Sequence, residues 1–239
     1  MDEISFMSVT LKLSSSPRPM RRRSRRRSVI WLMPCSEVAD RRSATDRGGL
    51  MTLLTRTSAL HAEASAAVPS ELLQLLQTAK RVWVIPHERP DADALGAALG
   101  LQSILTQRGA EVAVFCADAP AKVYDVIPTI DRVLTSPPEW TPDAVILVDC
   151  GEARRAGRAG ALMEALPSNV ARATIDHHVS NSSTSPLQWI DPTAAATCEM
   201  ITLIAVALGS DLAAEEGRLA ATLAAGIIMD TATFQHSNT

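Results

Sequence analysis

The stretch Val82-Trp83-Val84-Ile85-Pro86-His87-Glu88-Arg89-Pro90-Asp91-Ala92-Asp93 decides how this chain reads. Four apolar residues without alternation fit a short strand buried on both faces. A turn bearing His and Asp follows, and residues 94–108 then read as a helix closed by Gly109. Residues 111–116 form the next predicted strand. The unit recurs downstream as a strand over 144–148, a helix around 159–165 and a strand over 173–175. Upstream, Ser70 can cap a helix whose Leu72, Leu73, Leu75 and Leu76 fall at helical spacing, with Lys80 and Arg81 near its C-terminus. Two helices close the chain, about 194–208 and about 212–225, the second running into Ile227, Ile228 and Met229. Strands without alternation, separated by helices, predict an α/β fold: a parallel sheet with helices on both faces.

In such sheets functional residues gather beyond the carboxyl ends of the strands. The strand over 82–85 runs into His87, Asp91 and Asp93, and the strand over 144–148 into Asp149. The strand over 173–175 runs into Asp176, His177 and His178, and the apolar stretch 226–229 into Asp230. Neighbouring elements would bring these groups together. Carboxylates roughly 4 Å apart repel by about 4 kcal/mol per pair at an effective dielectric near 20, so such a cluster needs cations. Arg89, Arg154, Arg155 and Arg158 are available counterions. Imidazoles mixed with carboxylates are also the donor set of a metal site, suited to Mn²⁺ or Mg²⁺, with Zn²⁺, Fe²⁺ or Co²⁺ as further options. Four carboxylates balance two divalent ions, and one carboxylate can bridge them, which makes a two-metal site the simplest arrangement. Taken singly, each residue has an ordinary reading: Asp149 as a helix cap, Asp230 with Thr231 as a turn, His87 as a solvent histidine.

The remaining composition narrows the function classes. The chain has 239 residues and a formal net charge of −3. Residues 1–50 carry eleven Lys+Arg against five Asp+Glu, a net of +6, which leaves −9 for the rest. The run Arg21-Arg22-Arg23-Ser24-Arg25-Arg26-Arg27 lies in a part without sustained periodicity, so residues 1–66 are expected to be a disordered basic arm, with the domain over 67–239. A start codon assigned too early, with Met51 as the true start, accounts for this arm better than a polyanion-binding tail, because aromatics are not interleaved with the arginines. Val29 to Met33 is too short an apolar run for a secretory signal before Pro34. No run reaches the roughly 18 apolar residues of a membrane span. Cys35, Cys116, Cys150 and Cys198 are widely separated, without a zinc-ribbon or disulfide pattern, and a cytoplasmic location is the expectation. The last three cysteines, Tyr124 and Trp189 read as packing residues, and His61 and His236 as solvated.

The residues also carry a family resemblance. His87-x-x-Pro90-Asp91-x-Asp93-x-x-Gly96, Asp149 with Arg155 six residues later, Asp176-His177-His178, and Asp230-Thr231-x-x-Phe234 resemble, in order, the four motifs of the DHH phosphoesterase family. The likeness covers residues 70–239. Ile175-Asp176-His177-His178-x-x-Asn181 and Thr197-Cys198-Glu199 are similar to the branch of short-oligonucleotide exonucleases that also remove the 3′-phosphate of phosphoadenosine phosphate.

The resemblance implies a metal-dependent phosphoesterase that cleaves short oligonucleotides or nucleoside 3′,5′-bisphosphates with a two-metal-activated hydroxide. It implies that His87, Asp91 and Asp149 hold one Mn²⁺, and that Asp93, Asp149, His177 and Asp230 hold the other. His178 would contact a phosphate oxygen or protonate the leaving group, Asp176 would orient an imidazole, and Arg155 would bind phosphate. Ala92 and Ala97 replace a Gly and a Ser common in the family. The family's smaller C-terminal domain, with its Gly-rich His-bearing loop, has no counterpart here. The expectation is therefore a truncated, weakly active chain. The alternatives are a catalytically incompetent metal- or nucleotide-binding half of a split enzyme, with a separately encoded substrate-binding domain as partner, and a cyclic-dinucleotide phosphodiesterase. A homodimer is a further expected partner arrangement, and a membrane is not.

Overall fold

The computed structural model describes residues 47–238, with side-chain surroundings from residue 57 onward. The elements in chain order are α1 (Arg47–Ala67), α2 (Ser70–Thr78), β1 (Arg81–Ile85), α3 (Ala92–Gln107), β2 (Glu111–Phe115), β3 (Val133–Leu134), β4 (Ala144–Val148), α4 (Gly157–Glu164), β5 (Ala171–Asp176), β6 (Leu187–Ile190), α5 (Thr197–Ala207) and α6 (Ala214–Asp230). The six strands of the described residues are all parallel, in the order β3-β2-β1-β4-β5-β6. The chain leaves β1 toward one edge of the sheet and crosses back to β4 for the other. The β1/β4 pair, in register from Val82↔Ala144 to Ile85↔Leu147, is thus the switch point where doubly wound sheets open a crevice.

Side chains alternate across β1 as the pleat requires. Val82 and Val84 enter the main core with Ile146, Ile175, Leu95, Leu99, Met200 and Leu223, beneath α2, α3, α5 and α6. Trp83 and Ile85 enter a second core with Phe115, Val145, Leu147, Ala159 and Met163, beneath α4. Among the described residues, helices cover both faces, five on one and one on the other. Every residue of β4 is buried, which explains its run of five apolar residues without polar alternation.

The expected arm over 1–66 needs correction in its last part, while residues 1–46 lie outside the described residues. Residues 47–67 form α1, which packs against α5 and buries Ala64 at the core, with Val68 just beyond its end. Its side chains from residue 57 onward are mostly exposed, so it shows little of the periodicity by which a helix is recognised in sequence. Strand β6 also escaped the sequence reading. It is a four-residue edge strand whose Trp189 is buried and whose Gln188 is exposed. No described helix is long and apolar enough to cross a membrane.

Candidate metal centre

The ends of β1, β4 and β5, the start of α3 and the end of α6 deliver the polar groups to the carboxyl edge of the sheet at the β1/β4 crevice. The turn after β1 brings His87 and Asp91. Asp91 is the N-cap of α3: its Oδ1 accepts the Asp93 and Ala94 N–H groups at 3.0 Å each, leaving Oδ2 facing His87 Nε2 at 3.8 Å. Asp93, in the first turn of α3, is buried. Its two oxygens accept the Thr197 and Cys198 N–H groups at 2.7 and 2.9 Å. Helix α5 has no side-chain cap of its own, and Asp93, 104 residues earlier, supplies it.

Asp149 follows β4 with φ 52, a left-handed conformation that Asp tolerates better than most residues. Its N–H remains tied to the Ile175 carbonyl at 3.0 Å, and its carboxylate is buried. Oδ2 lies 3.7 Å from His87 Nε2, while Oδ1 lies 3.8 Å from His177 Nε2 and 3.4 Å from His178 Nδ1. From the C-terminal end of α6, Asp230 Oδ2 reaches to 3.6 Å from His177 Nε2, and Asp93 Oδ2 lies 3.9 Å from the same atom.

The imidazoles are held by their other nitrogens. His87 Nδ1 donates to the Glu88 carbonyl at 2.7 Å and His177 Nδ1 to the Ala194 carbonyl at 3.3 Å, so each presents the Nε2 lone pair to the carboxylates. His177 Nε2 is buried without a hydrogen-bond partner. A lone pair surrounded by carboxylate oxygens faces nothing but acceptors, and a cation among them satisfies all of them. Donors about 2.1 Å from a common small divalent cation stand roughly 3–4 Å apart, which is the spacing here. His87, Asp91 and Asp149 form one group with donor atoms within 4.8 Å of one another; Asp93, His177 and Asp230 form a second, and Asp149, His177 and His178 a third.

Burial, reinforced by the Asp149 charge, raises the Asp93 carboxyl to about 7. Burial likewise raises Asp230. Burial acts against protonation of His87, but its contacts with Asp91, the Glu88 carbonyl and Asp149 outweigh this and raise it. His178 is raised to about 10 by Asp149 and Asp176, whose Oδ1 accepts from Nδ1 at 2.8 Å. Asp176 is buried, yet hydrogen bonds from His178 and Asn181 lower it. The Asn181 amide donates to Asp176 Oδ2 at 2.6 Å and so holds that carboxylate for His178.

The structure therefore brings His87, Asp91, Asp93, Asp149, His177 and Asp230 together, with His178 at the rim. Arg155, in the turn over Ala153–Ala156, is exposed and lines a cleft with His87, Glu88 and Arg89; a Cβ at Gly151 would lie 3.8 Å from its Nη1 and 3.7 Å from Asp176 Oδ2. Cys116, Cys150 and Cys198 are buried free thiols, Trp189 is a core residue and His61 and His236 are exposed. The sequence reading gave no site role to Thr197, whose hydroxyl donates to Asp149 Oδ1 at 3.0 Å. Its only sequence signal was its place in Thr197-Cys198-Glu199, since nothing local ties it to a residue 48 positions earlier.

Comparison with known proteins agrees with this architecture. A bifunctional oligoribonuclease and PAP phosphatase NrnA of Thermus thermophilus is 32% identical over 158 residues, covering 66% of this chain and 45% of the relative. The protein of the same name from Bacillus subtilis is 28% identical over 171 residues, covering 71% and 52%. The chain thus spans about half the length of the curated relatives it matches. The crystal structure of an exopolyphosphatase-related protein from Bacteroides fragilis shares the fold with a TM-score of 0.64 at 19% identity, over 71% of this chain and 51% of that one. Residues 81–227 match the model of the DHH family, N-terminal domain, and with the parallel sheet and its edge cluster they show that the chain belongs to the DHH family.

Proposed function

We propose that this chain is a metal-dependent phosphoesterase that binds two Mn²⁺ ions and hydrolyses phosphate esters of short oligonucleotides or of nucleoside 3′,5′-bisphosphates. The observation that carries this reading is the position of Asp149, whose two carboxylate oxygens face different groups of donors. His87, Asp91 and Asp149 Oδ2 would hold one ion, and Asp93, His177, Asp230 and Asp149 Oδ1 the other. Two divalent ions so held would lower the pKa of a bound water and neutralise charge on the phosphoryl oxygens.

The rest is the work of the side chains. Capping and backbone bonds hold Asp91 and Asp93 in place, so the donors need little rearrangement. His178, paired through Nδ1 with Asp176, is left with Nε2 for a phosphate oxygen or the departing alkoxide. Its more exposed ring at the rim suits a group that meets substrate, whereas the His177 side chain, 12% exposed against 39% for His178, suits a ligand. The substrate class is supported by the two relatives, whose names describe an oligoribonuclease and PAP phosphatase.

The deciding experiment measures Mn²⁺-dependent release of mononucleotide from a 5′-phosphorylated dinucleotide, and of phosphate from adenosine 3′,5′-bisphosphate, by the full chain. Turnover that disappears in Asp149→Ala supports the proposal. Mn²⁺ binding without turnover on either substrate refutes the catalytic reading and leaves a metal-binding domain.

A further inference from the structure

We propose that Asn238 is a positioning residue for the metal centre: its side-chain amide ties Asp230 to the loop that orients His177, and so closes the ligand group of one ion. This rests on the two-ion reading and assigns a role to the segment that follows α6.

Asp230 is the carboxylate of the centre with the least support from its own element. Asp91 Oδ1 accepts two N–H groups of α3, Asp93 accepts two N–H groups of α5, and Asp149 accepts the Thr197 hydroxyl. Asp230 is the last residue of α6, the end at which a helix leaves carbonyls free rather than N–H groups. The donor comes from the chain beyond. Among the described residues only Asn238 offers one: its Nδ2 lies 3.4 Å from Asp230 Oδ2, the oxygen that faces His177 Nε2 at 3.6 Å.

The same Nδ2 donates to the Ala195 carbonyl at 2.8 Å and lies 3.5 Å from the Asp230 carbonyl. All three neighbours are acceptors, which fixes the amide end of Asn238. Ala195 lies in the connection from β6 to α5, where the carbonyl of Ala194 accepts from His177 Nδ1 at 3.3 Å. That connection is itself anchored: the Ala195 N–H donates to Glu199 Oε2 at 2.7 Å and the Ala194 N–H to the Asp191 carbonyl at 3.1 Å. One amide thus spans a fixed loop that orients His177 and a carboxylate with no other donor. His177 and Asp230 belong to the same donor group, with Asp93.

The backbone is bent to deliver Asn238. Ala232, Thr233 and Phe234 have φ 46, 62 and 61, three successive left-handed residues. That conformation costs a non-glycine residue about 1–2 kcal/mol and persists where the surroundings enforce it. Buried Thr231 enforces it here. Its hydroxyl donates to the Ile227 carbonyl at 2.7 Å and accepts the Phe234 N–H at 3.1 Å, while its carbonyl accepts the Gln235 and His236 N–H groups at 2.8 and 3.0 Å. His236 Nδ1 then donates to the Asp230 carbonyl at 3.1 Å, and the returning chain sets Asn238 against Asp230 and Ala195.

The test is a calorimetric Mn²⁺ titration of the full chain. Asn238→Ala should weaken one of two Mn²⁺ sites by about tenfold, the lower range for a lost supporting partner, and leave the other unchanged. Asn238→Leu keeps most of the volume without a donor and should act alike, which keeps the test sound if one variant folds poorly. Gln235→Ala, exposed on the same segment, should match wild type at both sites. Electron paramagnetic resonance at the Mn²⁺ level that fills both wild-type sites should show a coupled ion pair in wild type and isolated ions in the Asn238 variants. A loss confined to one site supports the proposal, because a merely loosened fold would not choose between sites. Equal weakening of both sites, or unchanged affinities in both Asn238 variants, overturns it. A wild type that binds fewer than two ions refutes the two-ion reading and the positioning role with it, whereas two ions bound without turnover refute the catalytic reading alone.

Discussion

The hydroxyl of Thr197 donates to Asp149 Oδ1 at 3.0 Å while the N–H of the same residue donates to Asp93 Oδ2 at 2.7 Å. One buried residue at the start of α5 thereby fixes two carboxylates, one from the first turn of α3 and one from the end of β4. Thr197→Val keeps the volume and removes the hydroxyl donor, and should weaken Mn²⁺ binding by roughly tenfold, the lower range for a lost supporting partner. Thr197→Ser should stay near wild type. Calorimetric Mn²⁺ titration distinguishes these, and equal affinity of the Val variant would mean that Asp149 is held adequately by its other contacts.

The metal-free protein should lose stability as pH rises from about 5 to about 9. Asp93, at about 7, lies above its unfolded value of about 3.9, so its contribution is full in acid and lost as pH climbs through 7. Asp230 is raised too and acts in the same sense. The raised His87 and His178 contribute fully below about pH 6.5, and that contribution is lost as pH rises through their folded values, for His178 through about 10. Asp91 and Asp176 are lowered, and their contributions disappear only in acid below about pH 4. Scanning calorimetry in chelator checks this, and a melting temperature that rises across the interval contradicts it. Added Mn²⁺ should flatten the profile, since it binds the deprotonated groups.

Asp149→Asn separates charge from shape. Asn tolerates the φ of 52, and the substitution removes one of the repelling carboxylates beside Asp93. The metal-free variant should melt higher than wild type. Mn²⁺ at a hundredfold excess over Kd should stabilise wild type by about 2.7 kcal/mol and the variant hardly at all. Thermal melts with and without Mn²⁺ test both halves, and an equal Mn²⁺ shift in the two proteins would remove Asp149 from the ligand set.

Gly226 on α6 passes directly behind the centre. A Cβ there would stand 2.3 Å from Cys198 Sγ and 3.0 Å from Asp93 Oδ1. Gly226→Ala should therefore destabilise the fold by about 1–3 kcal/mol and lower Mn²⁺ affinity by displacing Asp93. Urea unfolding and Mn²⁺ titration provide the two readings. Unchanged values in both would show that α6 can shift freely at no cost to the site.

Much of this centre is legible in the amino-acid sequence because its parts are local. Strands β1, β2, β4 and β5 announce themselves as apolar runs, and the residue just past each run is a short-range feature. Asp91 as the cap of α3 is likewise a matter of two or three residues. Elements with weak local signals were lost: β6 is four residues long, β3 is two, and α1 presents mainly exposed small and polar side chains in its described part. Boundaries moved where a distant group decided them. Helix α5 begins at Thr197 rather than near residue 194, because the carboxylate of Asp93 receives its first free N–H groups.

The sequence by itself determined the α/β class and the inventory of carboxylates and imidazoles at the strand ends, because both follow from hydrophobic pattern over a few residues. Tertiary structure alone decided which oxygen of Asp149 faces which histidine, that Thr197 and Asn181 support the centre, and that Arg155 shares a cleft with His87. Those relationships join residues tens of positions apart. Strand order and helix packing set their distances, and neither quantity is written in any local stretch of the chain.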